Sequence, residues 1–541
     1  MQRIDAATLK AWIGDGGELA ILDAREEGEF GRSHLFWANP CPLSRAELRV
    51  RALLPRRGVR ICCVDGGEGG LAERLAAWLE GIGCTEVHVL EGGVPAWQAA
   101  GYVVFSGVNV PSKAFGEWVE HHYGTPSIDP VELQAMMKAG EDMVILDSRP
   151  MDEFRRMSIP GAIDVPGGEL VYRIGEIVPS PGTTIVVNCA GRTRSIMGAE
   201  SLRSAGVPNK VMALRNGTMG WELAGFSCDR GRTASYPRGV PASHETALVR
   251  ARAFAERSGV RVLDRDGLAA LLADPSRTTY LLDVRDPEEF AAGHLAGSLN
   301  APGGQLVQAT DRWAAVRNAR IVLVDDAAFA ASRDGVRARM AGGWLRQMGG
   351  WDVYVLEGGG QGGHLEEGGA APECPEAAAI RPASVSAPEL AALLGNGGAQ
   401  VVQLSRSVDF REAHIPGALW GVRTRLASLA PRLDSSRPVV VAAAEEPVGW
   451  LAVPELQNLV KVPVRVLAGG LAAWKAAGLP LASDRRTPAD AECIDVYLRP
   501  YDRNEGVEAA MREYLSWEID LVHAVERDGD APFGAALRAG A

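Results

Sequence analysis

Four stretches of this chain carry one repeating pattern, and that repetition limits the possible folds more than any other feature. The first copy reads Ile21-Leu22-Asp23-Ala24-Arg25, followed by Glu29-Phe30 and His34. The second is Ile145-Leu146-Asp147-Ser148-Arg149, then Glu153-Phe154 and Ile159-Pro160-Gly161-Ala162. The third gives Leu281-Leu282-Asp283-Val284-Arg285, Glu289-Phe290 and Gly293-His294-Leu295-Ala296-Gly297. The fourth is the weakest, with Val401-Val402-Gln403-Leu404-Ser405-Arg406, Asp409-Phe410 and His414-Ile415-Pro416-Gly417-Ala418. Asp23 and Trp97 of the first copy return as Asp147 and Trp221, both displaced by 124 residues, so the first two copies are tandem duplicates of equal length.

Each copy proceeds to a second apolar strand, a helix and a closing strand with a glycine pair and usually a tryptophan. The closings are Val87-His88-Val89-Leu90-Glu91-Gly92-Gly93 with Trp97, Val211-Met212-Ala213-Leu214 with Asn216-Gly217 and Trp221, Val353-Tyr354-Val355-Leu356-Glu357-Gly358-Gly359, and Val464-Arg465-Val466-Leu467-Ala468-Gly469-Gly470 with Trp474. Short apolar strands separated by helical stretches such as Leu71 to Leu79 indicate α/β units, each with a mainly parallel sheet and helices on both faces. The units are placed at 1–108, 127–230, 258–370 and 380–484, with a helical tail over 485–541. Between the first two, an aromatic patch with Trp118, His121, His122 and Tyr123 is expected to pack between those units. A helical segment from Glu245 to Arg257 leads into the third, the Gly-rich Glu357 to Ala371 with Pro372 and Pro375 leads into the fourth, and the tail places Tyr497, Tyr501, Tyr514 and Trp517 in a helix.

The chemistry concentrates in Ile185-Val186-Val187-Asn188-Cys189-Ala190-Gly191-Arg192-Thr193-Arg194-Ser195, a strand that ends on a thiol, a tight basic loop and a helix start. Backbone N–H groups curling round the cysteine and the positive end of the helix form an anion-binding nest that also favours a thiolate. Arg192 and Arg194 add planar donor forks suited to an oxyanion. Cys189 is thus a candidate nucleophile facing an anionic substrate. The alternative, an inert buried cysteine, is weighed down by two arginines and a glycine in the same turn.

A net charge of −12 disfavours nucleic acid as a partner. No apolar run reaches membrane-spanning length, and Asp5 and Lys10 break any leader pattern, so a cytoplasmic location is expected. Eight cysteines in 541 residues are too sparse for a disulfide framework and lack metal-ligand spacing; free thiols, no metal and no cofactor are expected.

Leu-Asp-x-Arg, Glu-Phe, His-Ile-Pro-Gly-Ala, the cysteine-initiated loop and Leu-x-Gly-Gly-x-x-x-Trp together resemble the rhodanese family of sulfurtransferases, over nearly the whole chain to about Ala482. The resemblance implies a cysteine that takes sulfane sulfur as a persulfide and hands it to a nucleophile. Cys189 would attack the outer sulfur of thiosulfate or a similar small anion, with cyanide, a thiol or a protein as acceptor. Ala190, Gly191, Arg192, Thr193, Arg194 and Ser195 would bind the donor, the two arginines taking its sulfonate. Asp147 and Arg149 read as supporting residues that organise the loop, since Asp and Arg recur in the cysteine-free first and third copies. Ser158 stands where His34, His294 and His414 stand elsewhere, so that position is structural. Glu169 and Arg173 fall near the pocket mouth by analogy, or on a solvated helix face; Trp221 reads as core.

At the position of Cys189 the other copies offer Asp65, the aspartate of Asp325-Asp326-Ala327, and an alanine of Ala442-Ala443-Ala444, and none of these can carry sulfane sulfur. Copies one, three and four are expected to be inactive. Four rival readings are weighed. A Cys-x5-Arg phosphatase would need an arginine where Ser195 stands. A mercaptopyruvate sulfurtransferase would carry Gly-Ser/Thr-Gly-Val after the cysteine. The remaining two are a scaffold and a sulfur-delivery platform.

Overall fold

The computed structural model describes residues 1–325, 335–358, 363–369 and 374–539. Asp326, Ala327, Gly359 and much of the Gly-rich stretch before repeat four lie outside the described residues.

Repeat two shows the plan. Its sheet runs Ser127–Ile128, Val211–Leu214, Thr184–Asn188, Met143–Asp147, Ile163–Asp164 in spatial order, all parallel. Ile185, Val186 and Val187 are fully buried, as β-branched residues of a strand covered on both faces must be. The same order returns in repeat three, with Arg261–Leu263, Asp352–Leu356, Arg320–Val324, Thr279–Asp283 and Leu299–Asn300. It returns again in repeat four, with Ser384–Val385, Val464–Leu467, Val439–Ala443, Gln400–Leu404 and Leu419–Trp420. The chain is therefore a set of parallel-sheet α/β units, as its pattern implies.

Repeat one departs from the plan at one edge. Gln2–Ile4, Glu86–Leu90, Arg60–Val64 and Leu19–Asp23 are parallel neighbours, but two short strands share the outer edge of Leu19–Asp23. Ala38–Pro40 runs parallel beside Ile21 to Asp23, and Val316–Arg317 of repeat three runs antiparallel beside Leu19 and Ala20. A strand edge left half bare by a three-residue partner is completed from another repeat. Repeats one to three and the tail also share one contiguous buried apolar cluster, whereas the two faces of the fourth sheet have clusters of their own.

The segment joining repeats one and two is a helix, Val110–Tyr123, with Pro111 in its first turn and Gly124 closing it in the left-handed region. The expectation that its aromatics pack between repeats one and two is corrected. Trp118 meets Phe533 of the tail and Tyr123 meets Trp344 of repeat three, with ring centroids 6.3 and 6.1 Å apart. Gly116 lies so close to Thr193 that a Cβ there would come within 2.7 Å of its Cγ2. This linker helix thus packs on the loop helix of repeat two. The tail helix spans Val507–Asp528; Tyr497 and Tyr501 precede it rather than lie within it, and the segment folds back on this chain, where Gly28 N donates to Ile494 O at 2.8 Å. Among the described residues no helix is long and apolar enough to cross a membrane.

Candidate active site

Strand Thr184–Asn188 delivers Cys189 to the C-terminal edge of the sheet, where open parallel sheets carry their sites. Helix Thr193–Ser204 starts four residues on, and no side chain caps its N-terminus, so its first N–H groups face the loop. The thiol donates toward Ser195 Oγ at 3.6 Å, and that hydroxyl donates to Arg192 O at 2.7 Å. The Cys189 carbonyl is fixed from the other side, accepting from Thr218 N at 2.9 Å. Gly217 makes this approach possible: its φ is +55°, and a Cβ would sit 2.2 Å from Cys189 O. The recurring closing glycine has the same duty elsewhere, with Gly93 against Asp65 O and Gly470 against Ala443 O, each at 2.4 Å.

Cys189 is 2% exposed. Burial pushes its thiol up, and the opposing pull of Arg194 and of the Ser195 hydrogen bonds does not cancel that cost, to which the charge of Glu518 adds. This direction runs against the thiolate that the nest was expected to favour. Desolvation outweighs a nest whose arginines are already paired.

Those arginines are expected at the substrate; in the structure their forks are taken up by protein carboxylates. Arg192 grips Glu117 with two hydrogen bonds of 2.8 and 2.7 Å and also reaches Glu120 and Asn216. Arg194 is bidentate to Glu153 at 2.8 Å, and this pairing holds the Glu153 carboxyl down at about 2. Asp147 and Arg149 form a buried bidentate pair whose guanidinium also donates to Met157 O, while Asn188 Nδ2 donates to Asp147 Oδ2. Asp23 with Arg25, and Asp283 with Arg285, repeat that arrangement beside loops without a nucleophile. His34, His294 and His414 each stack on the phenylalanine four residues earlier and face a backbone carbonyl. Trp221 is core, donating to Ser227 O.

In repeats one and three the nest is filled from within. Asp65 accepts from Gly67 N and Ala72 N at 2.8 and 2.9 Å. Asp325 accepts from Arg337 N and Ala338 N at 2.6 and 3.1 Å. A carboxylate sits on each helix start where repeat two presents a thiol. Cys62 and Cys63 are buried in strand Arg60–Val64, with their thiols pushed up by burial. All eight cysteines are free.

Glu169 and Arg173 lie on no solvated face. Arg173 is fully buried, bonded to Glu169 Oε2 at 2.9 Å, and Glu169 reaches Arg337 of repeat three at 2.8 Å. They hold two repeats together.

The loop has a cover that the motif pattern does not reveal. Lys113 from the linker helix and Tyr514 and Glu518 from the tail helix line a cavity of about 40 Å3 with Cys189, Ala190, Gly191, Arg192, Thr193 and Arg194. That is room for roughly three waters. Glu518 Oε1 accepts from Tyr514 OH at 3.0 Å and Thr193 Oγ1 at 3.3 Å, while its Oε2 is buried without a partner. Met219, Met511 and Leu515 seal one side. The only signal in the sequence for this cover is the amphipathic tail itself.

A thiol at a helix start on the C-terminal edge of a parallel sheet, covered by the linker and tail helices, makes this loop the candidate active centre. The sequence model of the rhodanese-like domain matches residues 5–100, 129–224 and 264–364, more than half of the chain. The chain belongs to that family and is an enzyme of the rhodanese type. A solved structure of thiosulfate sulfurtransferase from Pseudomonas aeruginosa superposes with a TM-score of 0.91 at 45% identity, covering 98% of this chain and 99% of that one. The HTH-type transcriptional regulator Rv0324 of Mycobacterium tuberculosis is 34% identical over 227 residues, 40% of this chain and 88% of its own length. The putative sulfur carrier protein YrkF of Bacillus subtilis is 24% identical over 184 residues, 34% of this chain and 90% of its own.

Proposed function

We propose that this chain moves sulfane sulfur from thiosulfate, or a similar small anion, through a persulfide on Cys189 to cyanide, a thiol or a protein nucleophile. The observation that carries the reading is the contrast between repeats: the nest holds Asp65 or Asp325 in two of them and a nucleophile in repeat two. An anion seat with its own carboxylate is occupied; one with a thiol takes its anion from solution.

Cys189 loses its proton as Sγ attacks the outer sulfur of the donor. The new S–S bond forms as the donor's S–S bond breaks, the electron pair leaves with sulfite, and the thiol proton leaves as hydrogen sulfite. The persulfide anion then rests against the N–H groups of the loop from Ala190 to Ser195, the place where negative charge develops. An acceptor attacks its outer sulfur and releases Cys189. Arg192 and Arg194, clamped by Glu117 and Glu153, keep the loop in shape and add positive potential. No step needs a cofactor, and the other repeats act as packing partners. We place the reaction in the cytoplasm.

Intact mass after brief incubation with thiosulfate tests this. Wild type should gain one sulfur atom that cyanide removes, and Cys189→Ser should gain none. A wild type that stays unmodified while folded and reduced would exclude thiosulfate as donor. Fast discharge to a protein or thiol with slow discharge to cyanide would assign the chain to sulfur delivery.

A further inference from the structure

We propose that Lys113, on the helix joining repeats one and two, is the cation that recognises the anionic end of the sulfur donor and sets the site's preference for anions. The proposal rests on the sulfur-transfer reading for the identity of the donor, though not for the existence of the anion site.

Four cations line the cavity over Cys189: Lys113, Arg192, Arg194 and Arg499. Arg192 and Arg194 have committed their forks to Glu117, Glu120 and Glu153. Arg499 is half exposed and lies 3.9 Å from Glu153. Lys113 is 5% exposed, and among the described residues no carboxylate comes within 4.0 Å of its Nζ. Its described neighbours are the faces of Tyr514 and Trp517, with centroids 4.6 and 4.5 Å away. Aromatic faces offset part of the cost of burying an ammonium but accept none of its three N–H bonds. A buried ammonium with open donors beside a nucleophile is suited to a small oxyanion, here the sulfonate of the donor.

Both neighbouring rings belong to the tail helix, so the cation comes from one inter-repeat segment and its seat from another. Glu518 faces the same cavity, and its charge would repel an unaided dianion. Lys113 offsets that charge and lets an anion approach Sγ. Burial also draws the ammonium down to about 8, the mark of a cation without a tight carboxylate partner.

The test compares alkylation of Cys189 by iodoacetate and by the neutral iodoacetamide, read by peptide mass, in the full chain. Lys113→Met should lower the iodoacetate to iodoacetamide rate ratio by about fivefold or more, and Lys113→Arg should keep it. With thiosulfate, Lys113→Met should raise KM by about tenfold with kcat changed by about twofold at most. An unchanged ratio and KM in Lys113→Met would overturn the proposal. Should Lys113→Met fail to fold, Lys113→Gln carries the same comparison. If wild type forms no persulfide with any donor, the sulfur-transfer reading fails, while the alkylation ratio still decides whether Lys113 is the anion-recognising cation.

Discussion

Cys189 sits at a helix start with arginines nearby, features that ordinarily lower a thiol's pKa, yet its thiol is pushed up. The reason is that burial is nearly complete, and its cost exceeds the downward pull of Arg194 and of the Ser195 hydrogen bonds. A thiol raised in the folded state gains its reactive thiolate only as pH climbs beyond the ordinary thiol range, about 8.5. Iodoacetamide should therefore label Cys189 more slowly than free cysteine at pH 7, with a rate still rising above pH 9. Glu518 adds to the upward push, so Glu518→Gln should move that profile to lower pH, read by the same labelling. Lys113 titrates the other way. It is charged below about 8 and loses its charge above, among Glu518 and Tyr514 of the tail helix, Arg499, Arg194 and Asp311. The KM for thiosulfate should accordingly climb as pH passes about 8, a trend that Lys113→Arg should abolish.

At the scale of the element, the loop depends on a glycine that belongs to a different strand–helix junction. Gly217 carries the left-handed conformation that lets the junction close on Cys189 O. Gly217→Ala combines that backbone strain with a clash against a carbonyl that cannot retreat, and it should cost about 3 kcal/mol in urea unfolding and abolish persulfide formation. This part of the architecture was legible from the residues. Leu-Asp-x-Arg marks a strand end whose Asp–Arg pair shapes the next loop, and the Gly–Trp closing marks where the chain folds over the loop of the middle strand. Such motifs are local, and local chemistry is readable from one sequence. The meeting of Lys113 with Tyr514 and Trp517 was not, because some four hundred positions separate them and no periodicity links them. The pairing of Arg192 was missed for a related cause, whereas Arg194 pairs with Glu153 of the Glu–Phe motif, which the pattern marked without naming its partner. Glu117 and Glu120 reside on a helix whose orientation no motif announces.

Across the whole molecule, the loops without cysteine have taken on other work. Asp325 fills its own nest and in doing so holds Arg337 at 2.6 Å; the same guanidinium reaches Glu169 of repeat two and Glu289. Repeats two and three are thereby joined through a buried charge cluster next to the loop helix. Arg337→Met would leave Asp325 buried without its cation and Glu169 with Arg173 alone, and a loss of about 3–5 kcal/mol in urea unfolding is expected. Persulfide chemistry at Cys189 should survive in the fraction that remains folded, because Arg337 does not line the cavity. Sequence comparison among the repeats could say that these loops lack a nucleophile. It could not say that Asp325 holds an arginine that reaches into repeat two, since that depends on Glu169, supplied by another repeat.

The antiparallel strand Val316–Arg317 beside Leu19 and Ala20 has a consequence for how the chain is made. Repeat one is translated before repeat three, yet part of its sheet edge stays open until some two hundred further residues have been translated. The nucleophile waits longer still, since Tyr514 and Glu518 are translated more than three hundred residues after Cys189. A chain stopped before Tyr514 would hold a finished thiol under an unfinished roof, so translation through the tail helix is itself a condition for a sheltered reaction centre.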